Sequence, residues 1–358
     1  MHEELSGVRI RAYTTIDDPS AHFQAQAYTG NGADNHAITN DGNSDLQPDY
    51  CWVKDTSDTS IWYNIDSSRG VSANLHSNNN ANEDSASYIT SFDSDGFTVD
   101  NNGAINEDGV GNVGFQWKAN GGTRSTFTES GNNMGGGYQV NAAAGFSIID
   151  YVGTGSAGYF SHGLGAAPEC IIIKNRSYAG NWRFWHHKMS GVTYRASLNT
   201  DAAESSGWDS WTVGSSTVTL GVDGSVNRDG DNHIAYCFRS IKGYSKFGIY
   251  TGNGNANGVF VYTGFQPRWL VVKPRTLVSN YFQLDTARDT YNPATKFLRL
   301  DTTHAEDDGA DKDIDFLSNG FKTRAATGFH NDNNQTHLYM AFAKHPFVTS
   351  GGVPCTAR

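Results

Sequence analysis

Two acid–arginine pairs have the residue types and spacing that could support chemistry in this chain. Asp66 stands three residues before Arg69, and Asp285 stands three residues before Arg288. A carboxylate beside a guanidinium can act in acid–base catalysis, but the same arrangement more commonly forms a charge-assisted pair that holds a turn. We therefore interpret all four side chains as structural residues and predict no catalytic residues among them.

The adjacent residues His186 and His187 invite a metal-binding or acid–base interpretation. Successive side chains of a strand point to opposite faces, so two neighbouring histidines cannot readily bind one metal ion. The sequence contains no HExxH, GxSxG or P-loop motif. A glycosidase needs two carboxylates across a cleft, which the sequence does not exclude. We predict that the protein is not an enzyme and keep a polysaccharide-degrading enzyme as an alternative.

Aromatic residues outside any repeated pattern are the better ligand candidates. Trp208 follows Ser-Ser-Gly at 205–207 and precedes Asp209. An exposed Trp beside short polar groups can stack on the apolar face of a sugar while its neighbours bind hydroxyl groups. Tyr178 and Trp185 are further candidates of the same kind. Ordinary packing is the alternative for all of these residues.

Acidic and cysteine residues supply few candidates for a metal site. Residues 307–313 are dense in carboxylates, but they do not follow the ligand spacing of an EF-hand loop. We interpret this segment as a solvated acidic loop, with calcium binding as an alternative. The four cysteines lack CxxC or Cys/His zinc spacing, and Cys51, Cys170 and Cys237 are interpreted as small core residues. No metal site and no cofactor are predicted.

A unit that occurs three times contains most of these residues. A Tyr-x-Gly-x-Gly motif occupies residues 28–32, 151–155 and 250–254. Further on, a Pro is followed after six residues by a Lys, in the pairs Pro48 and Lys54, Pro168 and Lys174, and Pro267 and Lys273. So many shared features in one order indicate an internal repeat.

A large aromatic residue stands eight positions after each of these lysines. The three residues are Trp62, Trp182 and Tyr281. Because they recur in register, we predict that they are core residues. The acid–arginine pair follows the aromatic residue in the first and third units, whereas the second unit has His186 and Met189 at these positions.

The pattern within each unit is that of β-strands. Runs of four to seven Val, Ile, Thr and aromatic residues alternate with clusters of Gly, Asn, Asp and Ser. Asp-Gly steps at 95–96 and 223–224 predict tight hairpins, because Gly tolerates a positive φ. A unit of about one hundred residues with about seven strands has the size of a β-sandwich. We therefore predict an all-β fold of three tandem antiparallel β-sandwich-like repeats.

The repeats set the predicted domain boundaries. We expect an N-terminal arm or attachment segment at 1–22, an acidic first repeat at 23–122, a Gly/Asn/Ser-rich linker at 123–145, a second repeat at 146–243, a third at 244–347 and a C-terminal tail at 348–358. These repeats are called units one, two and three below. The short junction between units two and three predicts that these two make the closest contacts.

The net charge of the 358-residue chain is −11, and it is concentrated in unit one. Residues 23–122 contain 12 Asp and 2 Glu against 2 Lys and 1 Arg, whereas units two and three are nearly neutral. An acidic chain without a basic run is a poor partner for nucleic acid or for an anionic membrane surface. The first residues lack the pattern of a signal peptide, and no apolar stretch is long enough to span a bilayer.

Four segments of unit three carry a resemblance to known proteins. Residues 243–254, 261–267, 316–322 and 340–347 resemble repeats in tail-associated virion proteins of marine tailed bacteriophages, of the tail-fibre type. The resemblance implies a role on the virion surface or tail, and it supplies no catalytic residues. It implies a location in the virion, with assembly in the host cytoplasm and release by lysis.

These observations lead to one functional expectation and its alternatives. We expect a virion structural protein of the tail-fibre or receptor-binding type that adheres to a host surface glycan or protein through loops of its β-sandwiches. The expected partners are other virion proteins, the host surface ligand and further copies of the chain in a homo-oligomer; nucleic acid and membrane are not expected partners. A capsid decoration or other assembly protein without ligand binding is the alternative.

Overall fold

The protein is built almost entirely from antiparallel β-strands. Its computed structural model describes residues 14–207, 210–309, 312–326 and 329–356. The helical elements among these residues are a 3-10 turn at Pro19–Ala21 and the four-residue helices α1 (Gly103–Asn106) and α2 (Gly224–Asn227). None of the described helices is long and apolar enough to cross a membrane. The predicted all-β, sandwich-type fold is confirmed.

Unit one consists of a larger and a smaller sheet. Its strands are β1 (Phe23–Thr29), β2 (His36–Thr39), β3 (Tyr50–Asp55), β4 (Tyr63–Asp66), β5 (Ile89–Asp93), β6 (Gly96–Val99) and β7 (Gly111–Trp117). The larger sheet has the order β1-β7-β3-β4, and the smaller sheet has the order β2-β6-β5. An apolar cluster that includes Val53, Ile65, Phe97 and Val99 joins the two sheets.

Unit two repeats this plan and adds strands at both ends of its larger sheet. Its strands are β8 (Ser125–Phe127), β9 (Gly135–Asn141), β10 (Phe146–Val152), β11 (Gly158–Ser161), β12 (Cys170–Asn175), β13 (Arg183–His186), β14 (Tyr194–Ser197), β15 (Ser205–Ser206), β16 (Thr212–Val213), β17 (Thr217–Leu220) and β18 (Asn232–Phe238). The larger sheet has the order β15-β14-β13-β12-β18-β10-β9-β8, and the smaller sheet has the order β11-β17-β16.

Unit three has the same arrangement. Its strands are β19 (Ser245–Thr251), β20 (Phe260–Tyr262), β21 (Phe265–Pro274), β22 (Phe282–Asp285), β23 (Phe297–Arg299), β24 (Ile314–Leu317), β25 (Gly320–Thr323) and β26 (Thr336–Pro346). The larger sheet has the order β19-β26-β21-β22-β23, and the smaller sheet has the order β20-β25-β24. In every unit, the strand that contains the Tyr of the Tyr-x-Gly motif (β1, β10 or β19) pairs with the last strand of the larger sheet, which pairs in turn with the strand that contains the repeated Lys.

The Tyr-x-Gly motif recurs because two loops approach each other closely at this point. A Cβ atom on Gly30, Gly153 or Gly252 would lie 2.2 to 2.3 Å from a backbone carbonyl oxygen of the turn before the last strand. A buried Asn of that turn (Asn106, Asn227 or Asn331) accepts the N–H of the residue after this Gly, at 2.8 to 3.0 Å. The motif thus encodes a loop-to-loop contact that only Gly permits.

The three larger sheets pack against one another around a common aromatic core. A single apolar cluster contains residues of all three units. Ring pairs cross each of the three junctions: Trp117 with Trp269 at 5.6 Å, Tyr50 with Tyr236 at 4.2 Å, and Phe238 with Phe342 at 5.9 Å. The central strands of the larger sheets are therefore buried on both faces, which explains the continuous apolar run of Ile171, Ile172 and Ile173.

The common core differs from the organisation expected from the sequence. Units two and three pack against each other, but unit one shares the same core rather than standing apart from them. Basic side chains of both neighbours meet the acidic unit one: Arg176 lies 2.7 Å from Glu83, and Arg268 lies 3.2 Å from Asp41. These ion pairs place opposite charges across both junctions of the unit that has a net charge of −11.

Two local expectations also differ from the structure. Residues 123–145, interpreted as a linker, contain strands β8 and β9, and β9 pairs with β10 along its whole length. The Asp-Gly step at 223–224 does not form a hairpin, because the Asp223 side chain accepts the N–H of Ser225 and caps α2. Asn102 caps α1 at the equivalent point of unit one. The Asp-Gly step at 95–96 does connect two paired strands, β5 and β6.

Candidate functional site

Each unit contacts the next through a loop that contains a glutamate, and an equivalent backbone hydrogen bond forms at all three junctions. The backbone N–H of Glu83 donates to the carbonyl of Arg176 at 3.0 Å, that of Glu204 to Arg275 at 2.9 Å, and that of Glu306 to Thr56 at 2.8 Å. Every acceptor is the second residue after a repeated Lys. These contacts run from unit one to two, from two to three and from three to one, and they close a ring. The chain therefore has pseudo-threefold symmetry.

The repeated large aromatics lie at the same junctions. Trp62 and Trp182 are fully buried, and Tyr281 is 1% exposed. The Trp62 Nε1–H donates to the carbonyl of Arg299 in unit three at 2.9 Å, and the Trp182 Nε1–H donates to the carbonyl of His76 in unit one at 2.8 Å. Tyr281 packs edge-on against Phe184 of unit two at 5.5 Å. These side chains lock each unit to a neighbour.

In each unit, a cleft opens next to the residue that follows the repeated Pro; two of these clefts lie between units, and the third lies within unit one. These residues are Asp49, Glu169 and Arg268 in units one, two and three. Each cleft is named below after this residue. Because the backbone around the three positions is equivalent, the clefts differ mainly in their side chains and in the chain segments beside them.

In the Asp49 cleft, backbone N–H groups of the chain itself bind the charged side chain. The Asp49 carboxylate accepts the backbone N–H groups of Ala119, Gly121 and Gly122 at 2.6, 3.0 and 3.0 Å, respectively. The Ser67 hydroxyl donates a further hydrogen bond to Asp49 at 2.6 Å. The carboxylate thus holds the last residues of unit one, directly before the segment interpreted as a linker. It has little capacity left for a ligand.

The Arg268 cleft also uses its charged group for a contact between units. It measures about 260 Å³ and lies between units three and one. The Arg268 guanidinium donates to the carbonyl of Ala25 at 2.6 Å and to Asp41 Oδ1 at 3.2 Å. This arginine therefore bridges two strands and a loop across the junction.

The Glu169 cleft is larger and combines aromatic and polar walls. It measures about 470 Å³ and lies between units two and three, with Glu169, Ser240, Lys246, Tyr262 and Phe347 among its lining residues. The Ser240 hydroxyl donates to Glu169 Oε2 at 2.5 Å, and the Glu169 side chain remains 28% exposed. The ring of Tyr262 is among the most exposed aromatics, at 53%. This cleft can hold a small organic ligand, since its volume lies within the usual range of ligand pockets.

Similarity to known proteins assigns this chain to a family. Residues 18–346 match the family described as "Domain of unknown function (DUF7483)". The chain belongs to this family. Searches of the curated proteins and of the solved structures found no match. The DUF7483 match spans all three units, as expected for a domain whose units share one core.

In the DUF7483 domain, the Asp66–Arg69 pair lies fully buried at the junction of units one and two. Arg69 Nε lies 2.5 Å from Asp66 Oδ2, and Nη1 lies 3.0 Å from Glu83. The hydroxyl of Tyr236 in unit two donates to Asp66 Oδ2 at 2.7 Å. Burial works to lower the pKa of Arg69, but the carboxylates of Asp66 and Glu83 outweigh it and hold that pKa above its usual value. The pair is therefore inaccessible to a substrate.

The second pair of the DUF7483 domain has the same geometry. Arg288 Nη2 lies 2.6 Å from Asp285 Oδ2, and Nη1 lies 2.7 Å from Glu306. Burial works to raise the pKa of Asp285, but Arg288 outweighs it and holds that pKa below its usual value. In unit two, His186 replaces the acid, and its Nδ1 accepts the N–H of Lys188 at 3.1 Å. Burial lowers the pKa of His186 to about 3, so a neutral residue stands where the other units have a charged pair.

The three repeated lysines of the DUF7483 domain are also buried. Burial lowers the pKa values of Lys54, Lys174 and Lys273 to about 8 each. A lysine with a lowered pKa in a cleft can act as a nucleophile or base. Each of these ammonium groups instead donates to carbonyl oxygens of the loop that follows its strand, for example Lys174 to Tyr178 at 3.2 Å and Lys54 to Asp58 at 3.0 Å. They close loops and face no ligand-sized cleft described above.

Two of the four ligand candidates chosen from the sequence, Tyr178 and Trp185, lie among the described residues. Trp208 and Asp209 lie outside the described residues. The ring of Tyr178 is 47% exposed, and the guanidinium of Arg228 lies 4.4 Å from its centroid. Trp185 is only 8% exposed and stacks on Trp211 at 6.3 Å. Neither Tyr178 nor Trp185 lines any of the three clefts.

Possible metal ligands are likewise dispersed among the described residues. No group of three or more His, Cys, Asp or Glu side chains there could hold a metal ion. In the acidic segment 307–313, Asp307 Oδ2 binds the Arg299 guanidinium at 3.0 Å. Cys51, Cys170 and Cys237 are buried free thiols whose pKa values are raised by burial.

Sequence reasoning missed two sets of equivalent residues. Glu83, Glu204 and Glu306 stand 14, 15 and 18 residues after Arg69, Met189 and Arg288, respectively, so unequal loops hide their correspondence. The position after the repeated Pro carries Asp, Glu or Arg, and this change of charge hides a shared place at the cleft. The constant Pro-to-Lys spacing was the signal that could have pointed to the second set.

Proposed function

We propose that this protein is a structural protein of a phage virion, of the tail-fibre or receptor-binding type, that adheres to a glycan or protein on the host surface. The observation that carries the adhesive role is the Glu169 cleft, which combines an exposed aromatic ring with a carboxylate and a hydroxyl. The assignment to a virion rests on the resemblance of unit three to tail-associated proteins.

The shared core supports an adhesive function in a second way. Loops of three units are held on one body, since a single apolar cluster joins their larger sheets. A rigid arrangement lowers the entropy lost on binding. Weak sites on many copies in a virion would raise the overall avidity by about 10²–10⁴.

The proposal includes no catalytic step. The acid–arginine pairs that carried the catalytic alternative are buried and bind each other. The repeated lysines donate to loop carbonyls. Adhesion therefore uses these groups only as part of the scaffold.

Two measurements test the two parts of the proposal. Gold-labelled antibody against the protein should mark the tail of intact virions, and a label spread over the capsid shell would favour the decoration alternative. Purified protein should bind host cells and reduce phage adsorption in proportion to its concentration. Cells that bind no protein at high valency would refute the adhesive role.

A further inference from the structure

Among the residues that the structure describes, only the Glu169 cleft of the three keeps an exposed aromatic ring beside polar groups. In the Asp49 cleft the carboxylate binds three backbone N–H groups, and in the Arg268 cleft the guanidinium binds Ala25 and Asp41. The equivalent group of the third cleft, Glu169, binds one hydroxyl at 2.5 Å and lies 3.6 Å from His187 Nε2. Both contacts are made by Oε2, so Oε1 keeps hydrogen-bonding capacity for a ligand.

The aromatic wall of the Glu169 cleft is held in place. Lys246 Nζ lies 5.3 Å from the centroid of the Tyr262 ring and donates to the Tyr262 carbonyl at 2.6 Å. The ring itself is 53% exposed, whereas Phe247 beneath the cleft is only 3% exposed. A fixed, exposed ring is a stacking surface for the apolar face of a pyranose.

The charges of the cleft indicate which saccharide it accepts. Lys242 and Lys246 line it together with the single carboxylate of Glu169. This excess of ammonium groups is unusual in a chain of net charge −11. Ammonium groups attract a carboxylate on the ligand, while Glu169 and Ser240 can accept from and donate to hydroxyl groups.

We propose that the Glu169 cleft binds a saccharide that carries a carboxylate, such as a uronic acid unit of an acidic polysaccharide. The pyranose lies against Tyr262, its carboxylate lies near Lys246 and Lys242, and its hydroxyls meet Glu169 and Ser240. This inference rests on the adhesive function proposed above and names its site and ligand class.

Calorimetric titration with two probes of equal length tests the ligand class. One probe is an oligomer of galacturonic acid and the other is an oligomer of galactose. We expect the acidic probe to bind about tenfold more tightly at low salt, and this preference should shrink as salt screens the charges. Equal affinity for the two probes, or tighter binding of galactose, would overturn the proposal.

Three variants locate the site. Tyr262→Ala should weaken binding of the acidic probe about tenfold through the lost stacking surface. Lys246→Met should weaken binding of the acidic probe more than binding of the neutral probe, and so reduce the preference for the acidic one. Tyr159→Ala is the matched control, because Tyr159 is 41% exposed on the equivalent strand of unit two, outside the cleft. Thermal unfolding of each variant verifies that it folds.

Host-cell binding separates failure of this inference from failure of the adhesive function. If the Tyr262→Ala protein binds cells as well as the wild type does, the cleft is not the site, although adhesion stands. If the wild-type protein binds neither cells nor either probe, both proposals are wrong. Loss of cell binding in Tyr262→Ala, with binding retained in Tyr159→Ala, supports both.

Discussion

Two buried histidines should make the fold sensitive to acid. His233 in β18 and His337 in β26 occupy equivalent positions and stack on Tyr151 and Tyr250, each at 5.0 Å between ring centroids. Burial lowers the pKa values of both histidines to about 4. Unit one has Asn112 at this position, and its amide donates to the carbonyl of Val110 at 3.0 Å.

The direction of the effect follows from proton binding. An unfolded chain takes up a proton at each histidine near pH 6.5, whereas the folded protein takes it up only near pH 4. The unfolded state therefore binds more protons within this interval, and stability falls as the pH is lowered through it. The full difference is about 3 kcal/mol for each histidine, and about 2.5 kcal/mol of it is lost by pH 4.5.

The double variant His233→Asn/His337→Asn removes this sensitivity with a residue that unit one already uses. Asn can retain the hydrogen bond that His233 Nδ1 makes to the carbonyl of Asp231 at 3.0 Å. At pH 7.5 the variant should be less stable than the wild type by about 1–3 kcal/mol, because two aromatic contacts are lost. At pH 4.5 the order should reverse, since only the wild type has lost about 5 kcal/mol at these two positions.

Urea denaturation followed by tryptophan fluorescence at the two pH values measures this reversal. All other titrating groups are common to both proteins and cancel in the comparison. His304→Asn is the control, because it makes the same substitution at an exposed position. A stability difference between wild type and double variant that does not change with pH would refute the reasoning.

Three further predictions address the repeat contacts. Gly153→Ala should destabilise the fold by more than about 3 kcal/mol, since its Cβ would lie 2.2 Å from a backbone oxygen. Gly103→Ala is the control and should be nearly neutral, because the nearest atom to its Cβ would be 3.9 Å away. Equal shifts of the melting temperature in the two variants would contradict this. Trp62→Ala should lower the free energy of unfolding by about 3–5 kcal/mol. Calorimetry should still show one unfolding transition, because the three units share a core. Separate melting of unit one would show that the common core does not make unfolding cooperative. Arg288→Met should lower the free energy of unfolding by about 3–5 kcal/mol, because it leaves buried carboxylates unpaired. Adding Asp285→His copies His186 and Met189 of unit two and should restore part of that stability, as measured by urea denaturation. If no stability is recovered, the two positions are not equivalent in the two units.

The sequence alone supports the secondary structure and the threefold repetition. Turn glycines, buried apolar runs and the constant Pro-to-Lys spacing are local features, and a strand or turn depends mainly on its own residues. Local chemistry of this kind is sufficient to predict an all-β chain of three similar units.

The candidate site was less predictable from sequence. The cleft residues Glu169, Ser240 and Tyr262 are up to 93 positions apart, and no spacing relates them. Whether an aromatic ring is exposed depends on what packs beside it. Residue type alone therefore does not reveal that Tyr262 is exposed and Trp185 is buried. The interpretation of 123–145 as a linker failed for a similar reason, because pairing of β9 with β10 depends on a partner edge.

What the sequence by itself determined was the unit: its strands, its turns and its three copies, since residue types and their spacing along the chain reveal each of them. Only the tertiary structure decided how the copies combine. Residues far apart in the chain form the ring of contacts made by Glu83, Glu204 and Glu306. The same is true of the common core around Trp117 and Trp269 and of the side chains that line the three clefts. Such contacts depend on the shape and charge of surfaces that exist only after each unit has folded.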